Sequence, residues 1–189
     1  TYSFIADSFK NWRGMQSMGV RRIKRSINID ISSIQFVSEE MRDRFMKYER
    51  VKDYVKQRQS EIDQYNSEAK VDKSELINGR HMTNIGVFRR YALRYLEEHP
   101  KIDQKETVMV RQLQPTEEGL PMEIYAFSND IAWVNYENIQ SDIFDHLMAS
   151  VSKFDLRIFQ NPSGADFKSL NIKSEGDDPS TSEAGSQKE

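Results

Sequence analysis

The order and spacing of the predicted elements indicate an α+β fold, a ferredoxin-like α/β sandwich in which helices cover one face of a mixed sheet. Residues 23–31 alternate isoleucine with polar residues, which is typical of a half-buried strand. Residues 107–127 form two alternating runs joined by a loop, and residues 133–151 carry a wide apolar stripe at helical spacing. An early strand followed by a helix, a hairpin, a helix and a closing strand matches the order of elements in a ferredoxin-like sandwich.

Three further helices are predicted from caps and periodicity. Ser38 is a predicted N-cap with two glutamates in the first turn, where carboxylates favour the positive end of the helix dipole. A second helix is predicted over residues 51–66. A third begins at a cap at Asn84 and runs to about Glu98, because Pro100 prevents its continuation.

The remaining elements are turns and strands. Asn78-Gly79 between short apolar segments predicts a β-hairpin turn. The two alternating runs and the last apolar segment predict strands over residues 107–114, 120–127 and 156–159, with a loop at Pro115–Gly119.

Composition excludes several classes of protein. The chain has 189 residues and no cysteine, so disulfides and thiolate chemistry are excluded. Its 27 basic and 30 acidic residues give a net charge of −3, whereas a nucleic-acid-binding protein usually carries a basic excess. No apolar run is long enough to span a bilayer. Because the first residue is Thr, we expect the sequence to begin inside a longer protein.

Candidate metal ligands are limited to one pair. Asp142 and His146 lie four residues apart on one helix face, but no third ligand is implied nearby. We favour a solvated stripe with a histidine toward the helix C-terminus, where positive charge is stabilised. His81 beside a turn and His99 at a helix end have no nucleophile arranged with them. We therefore predict no catalytic, cofactor-binding or metal-binding residues.

Two other motifs have a functional and a structural interpretation. The basic cluster Arg21–Arg25 is compatible with phosphate or lipid-headgroup contact, but strand alternation already explains most of its charges. Tyr125 and Phe127 on a strand are compatible with a surface for stacking RNA bases. The signature strand of such surfaces is missing, so we favour core or subunit contacts and predict no nucleic-acid partner.

Four segments resemble the cytoplasmic end of the small-conductance mechanosensitive (MscS-like) channels of bacteria. They read "TYSFIADSFKNW…GVRRIKRSINIDISSI", "TNIGVFRRYALRYLEEHP", "VMVRQLQPTEEGLPMEIYAFSND" and "YENIQSDIFDHLMASVSKFDLRIFQNPSG". The strings "MVRQLQP…GLP…EIYAF" and "IQSDIFDH" most resemble the miniconductance, YbdG-like branch. The resemblance covers nearly all of residues 1–164.

The resemblance implies a domain organisation. Residues 1–20 would be the last strand of a small β-domain and its linker. Residues 21–162 would be the α/β domain that forms the cytoplasmic vestibule, with a branch-specific insertion at about 51–83. The composition of residues 163–189 predicts a disordered tail, and its acidic, serine-rich part lies outside the resemblance.

The resemblance also implies a function and partners. The domain would belong to a non-enzymatic channel subunit that assembles as a homo-oligomer, a heptamer in the family, and frames a vestibule through which ions and small solutes pass during hypo-osmotic shock. Transmembrane helices upstream of Thr1 would anchor it in the bacterial inner membrane, with this domain facing the cytoplasm. The alternative is a free-standing ferredoxin-like regulatory module that binds a small ligand near Asn78-Gly79 and Pro115–Gly119.

Overall fold

The sheet is built around one long hydrophobic strand. A computed structural model of the protein describes residues 19–72 and 74–161, so the predicted strand at Thr1–Trp12 and the predicted tail lie outside the described residues. β1 is Arg21–Ile29, β2 is Met109–Gln112 and β3 is Leu120–Ser128. β3 lies between the other two, is buried along nearly its whole length and pairs antiparallel with both.

The closing strand is shorter than predicted. It consists of one antiparallel bridge between Ile158 and Ile29, extended by a 2.8 Å hydrogen bond from the Phe159 amide to the Asn28 carbonyl. This segment lies beside β1, on the edge opposite β3. The resulting order, closing segment, β1, β3 and β2, is that of a ferredoxin-like sandwich and confirms the α+β fold class. The expected mixed sheet is wrong, because β3 separates β1 from β2 and leaves only antiparallel neighbours.

The described residues contain four α-helices. α1 is Glu39–Phe45, α2 is Lys52–Glu68, α3 is Asn84–Glu97 and α4 is Trp133–Val151, and short 3-10 helices cover Ile31–Ser33 and Ser152–Phe154. The α4 bounds are those predicted from its apolar stripe.

Of the two predicted helix caps, Ser38 is confirmed and Asn84 is not. Ser38 caps α1, since its hydroxyl accepts the Met41 amide at 3.2 Å. The prediction of Asn84 as a cap is wrong: Thr83 caps α3 by accepting the Gly86 amide, and Asn84 is the first helical residue.

The hydrophobic core lies on the helix side of the sheet. Ile23, Ile27 and Ile29 of β1 are buried there, as alternation predicts. Arg25 interrupts the apolar series on the same face, and its guanidinium carbon lies 4.6 Å from the ring centroid of Phe144 in α4. The cation is therefore stabilised by an aromatic face while its stem covers apolar surface.

The segment after α2 contains no hairpin, so the prediction at Asn78-Gly79 is wrong. The side chain of Asn66 binds the Arg80 backbone twice, accepting from its amide at 2.8 Å and donating to its carbonyl at 2.9 Å. Because this side chain occupies both groups, the Arg80 backbone is unavailable for a strand ladder. Gly79 passes close to Asn66 with a φ of +76°, and the loop is thereby fixed against α2.

The predicted loop at Pro115–Gly119 is a closed turn. Thr116 and Gly119 exchange backbone hydrogen bonds of 2.9 and 3.1 Å. Gly119 has a φ of +91°, and a Cβ atom added there would lie 2.4 Å from the carbonyl oxygen of Ile29. The turn therefore needs glycine both for its backbone angle and for the close approach of β1.

Gly119→Ala should lower the free energy of unfolding by about 2 kcal/mol or more, because alanine adds backbone strain and a contact with main-chain atoms. Urea unfolding measures the effect. Gly19→Ala is the matched control, since Gly19 has a φ of +67° but open space where a Cβ would lie. Equal losses in the two variants would show that the close approach to Ile29 contributes nothing.

Candidate assembly surface

The first turn of α4 exposes a compact apolar surface. Ile131, Trp133 and Val134 are 51%, 67% and 68% exposed. Isolated exposed apolar residues are common, whereas contiguous exposed apolar patches mark interaction surfaces. We call these three residues the α4 patch. The prediction that Trp133 belongs to the buried stripe of α4 is wrong.

The chain around the α4 patch is held in place. The Asp130 carboxylate accepts the Ala132 amide at 3.1 Å and the side-chain amide of Asn135 at 2.9 Å, which fixes the entry into the helix. The guanidinium carbon of Arg21 lies 4.9 Å from the ring centroid of Trp133 and 4.1 Å from that of Tyr136. These contacts hold the backbone that enters α4 and the Trp133 ring, and such preorganisation lowers the cost of forming a contact.

The basic cluster Arg21–Arg25 is engaged in contacts within the domain. Arg21 stacks beside the α4 patch, and Arg25 lies over a core ring. Lys24 lies 4.0 Å from the carboxylate of Glu123, which Arg111 on β2 also binds at 2.7 Å. The carboxylate of Glu123 is nearly buried between cations from both neighbouring strands, which compensates its charge.

Tyr125 and Phe127 do not form an open stacking surface. Their rings meet edge to face at 5.5 Å, and Phe127 is only 8% exposed. Base stacking needs accessible aromatic faces, so the arrangement favours the predicted packing role.

His146 packs between the third and fourth helices instead of pointing at Asp142. Its ring is stacked on Tyr95 at 4.1 Å with an interplanar angle of 8°, and its Nε2 lies 2.7 Å from the Tyr91 hydroxyl. Asp142 is exposed on the same helix. Within residues 19–72 and 74–161, no three His, Cys, Asp or Glu side chains are grouped to hold a metal ion.

The other two histidines also make local contacts. The Lys101 amide donates to Nδ1 of His99 at 3.2 Å, so the neutral ring accepts at that nitrogen. Nε2 of His81 lies 3.0 Å from the Asn78 carbonyl oxygen and must donate there. Burial lowers the pKa of His99, although Asp142 opposes this effect, and burial and the charge of Arg50 lower the pKa of His146.

Stability should decrease as the pH falls below about 6.5. His99 and His146 have lower pKa values in the folded state than in the unfolded state, so the unfolded chain binds more protons in this range. Their stabilising contribution is complete above the unfolded-state pKa and is lost as the pH falls through the folded-state values. Melting temperatures measured between pH 7.5 and 5.5 test this. The double variant His99→Gln/His146→Gln should show a flatter profile, and an unchanged slope would contradict the assignment.

Of the two loops predicted to contact a ligand, the one at Asn78-Gly79 borders a groove. Pro115–Gly119 closes on itself, as described above. Asn78 and His81 instead line a groove of about 310 Å³ between α1, α2 and the following loop, together with Asn66 and Asp63. This volume is at the lower end of those that hold small ligands.

A comparison with protein families identifies the second part of the domain. Residues 81–158 match the family model described as mechanosensitive ion channel MscS, C-terminal. The match includes α3, β2, β3, α4 and the α4 patch, while β1, α1 and α2 precede it. Of the helices in the described ranges, none has the length and apolar character of a membrane span. The matched model is described as a channel domain, and the matched segment makes up less than half of the 189 residues.

Proposed function

We propose that this chain is the cytoplasmic domain of a bacterial mechanosensitive channel subunit of the miniconductance, YbdG-like branch. The match of residues 81–158 is the observation that carries the channel assignment, while the branch rests on the sequence resemblance alone. In this role the domain supports subunit assembly and frames the vestibule crossed by ions and small solutes during hypo-osmotic shock. It requires no enzymatic activity, cofactor, metal or nucleic acid.

The α4 patch supports the assembly part of the proposal. It lies inside the matched segment and presents three exposed apolar side chains. A ring of identical subunits needs such a surface on every copy, facing a different surface of the next copy. We propose a homo-oligomer, a heptamer by resemblance to the family, anchored in the inner membrane by helices upstream of Thr1.

We propose that residues at about 51–83, between α1 and α3, form a branch-specific insertion. This region contains α2 and the loop bound by Asn66. We further propose residues 21–162 as the α/β domain.

The upstream gene sequence and two measurements on the full-length protein test the channel proposal. The sequence upstream of Thr1 should contain several apolar segments of about 20 residues. Membrane patches that carry the full-length protein should show currents activated by suction, and cells that lack other such channels should survive hypo-osmotic shock better with it. A start codon at Thr1, or a soluble domain upstream, would overturn the proposal.

The groove beside Asn78 favours a second candidate, a free-standing module that binds a small ligand. A thermal-shift screen of metabolites on the 189-residue chain tests it, because a ligand that binds only the folded state raises the melting temperature. If no metabolite raises the melting temperature and the upstream sequence contains membrane segments, only the channel proposal remains.

A further inference from the structure

A second groove, with aromatic walls, lies at the meeting point of four chain segments. Its volume is about 310 Å³, and it is bounded by the turn between α1 and α2, by α3, and by the end of α4 with the following 3-10 helix. Its lining includes Tyr48, Glu49, Arg50, Tyr91, Lys153 and Phe154.

Three rings give the groove a rigid apolar interior. Phe154 is 1% exposed and forms the floor, with the ring centroids of Tyr48 and Tyr91 at 5.5 and 5.2 Å. Both tyrosine hydroxyls form hydrogen bonds within the domain: Tyr48 donates to the Lys153 carbonyl at 3.2 Å, and the Tyr91 hydroxyl bonds Nε2 of His146. The rings are therefore fixed before any ligand arrives, which favours a flat apolar body between them.

The rim of the groove favours negative charge. Glu49 is the acidic residue of the lining, and its carboxylate is bound by Lys52 at 2.7 Å. Arg50 binds Glu98 through Nε at 2.8 Å. Lys153 forms no salt bridge with any residue that the structure describes. A cation without a partner beside an apolar floor is the arrangement that recognises an anionic head on an apolar body.

We propose that this groove binds small organic acids with a flat apolar body. The body packs on Phe154 between Tyr48 and Tyr91, and the carboxylate pairs with the Lys153 ammonium beside Arg50. The inference is independent of the channel assignment, because it depends only on these side chains. The ligand is a free organic acid instead of a protein side chain, since the groove has the volume of a small-molecule site.

An NMR titration of the full 189-residue chain with benzoate tests the proposal. Benzoate should shift the signals of Tyr48, Tyr91 and Phe154 in a saturable manner, whereas benzyl alcohol and benzylammonium, which have the same ring, should bind at least about threefold more weakly. Equal binding of the three probes, or no shift up to the solubility limit of benzoate, would overturn the proposal.

Two lysine variants distinguish a specific contact between benzoate and Lys153 from attraction by the overall charge of the protein. Lys153→Gln should raise the dissociation constant of benzoate about three- to tenfold, as expected for a lost charge-assisted contact at an exposed rim. Lys101→Gln removes an exposed lysine that does not line the groove and should leave the constant unchanged. Equal effects of the two substitutions would show that net charge alone attracts benzoate, and would overturn the site. Circular dichroism checks that both variants are folded.

Discussion

Asn84→Ala is expected to lower the free energy of unfolding by about 3 kcal/mol or more. The side chain is fully buried and links the start of α3 to the segment of Ser33 and Gln35 and, at 3.4 Å, to the Asp155 carbonyl. Its Oδ1 accepts the amides of Gln35 and Ile85 at 3.0 and 2.9 Å, and its Nδ2 donates to the Ser33 carbonyl at 2.9 Å. Alanine leaves these backbone groups without partners, and each unsatisfied buried group costs about 1–3 kcal/mol.

Urea unfolding followed by circular dichroism measures this loss from the shift in midpoint at constant slope. Asn138→Ala is the matched control, because Asn138 is an exposed residue of α4 and its replacement should change stability by less than about 0.5 kcal/mol. Asn84→Asp keeps the shape but replaces the donor to Ser33 by an acceptor and buries a charge, so it should be at least as destabilising as alanine. If Asn84→Ala matches the control, the proposed link between segments is wrong.

The role of Asn84 shows where local sequence patterns stop being informative. Thr83 and Asn84 are adjacent, and both residue types cap helices well, so local preference does not choose between them. The choice is made by Ser33 and Gln35, about fifty residues earlier in the chain, which bind the asparagine and leave the threonine to cap. The same reason explains Asn78-Gly79, where a side chain of α2 occupies the backbone that a hairpin would need.

Long periodic segments were predictable because the spacing of their own apolar side chains indicates whether they form a helix or a strand. The alternation of β1 and the apolar stripe of α4 identified both elements, with the bounds of α4 correct to the residue. Periodicity tells which side chains share a helix face, but not how far the neighbouring sheet extends beneath that face. Trp133 is in phase with the buried residues and is nevertheless exposed, so the α4 patch was not predictable from spacing alone.

The double substitution Trp133→Ser/Val134→Ser should disrupt assembly of the proposed full-length channel. Tryptophan is enriched among interface residues whose loss costs about 2 kcal/mol or more, which corresponds to roughly a thirtyfold weaker contact. In a closed ring every subunit presents the patch once, so the weakening is repeated at each contact. The oligomer should therefore dissociate in native mass spectrometry of the detergent-solubilised protein, and suction-activated currents should be lost in the same variant.

A second apolar pair makes this prediction specific. Leu76 and Ile77, in the loop after α2, are 65% and 76% exposed and thus resemble the patch in exposure and chemistry. Leu76→Ser/Ile77→Ser should leave the oligomer intact, because these residues precede the matched segment and lie in the proposed insertion. Both double variants should fold normally, since exposed apolar side chains contribute little to stability. If the loop pair instead controls assembly, the subunit contact belongs to the insertion, and the α4 patch must face something other than a neighbouring copy.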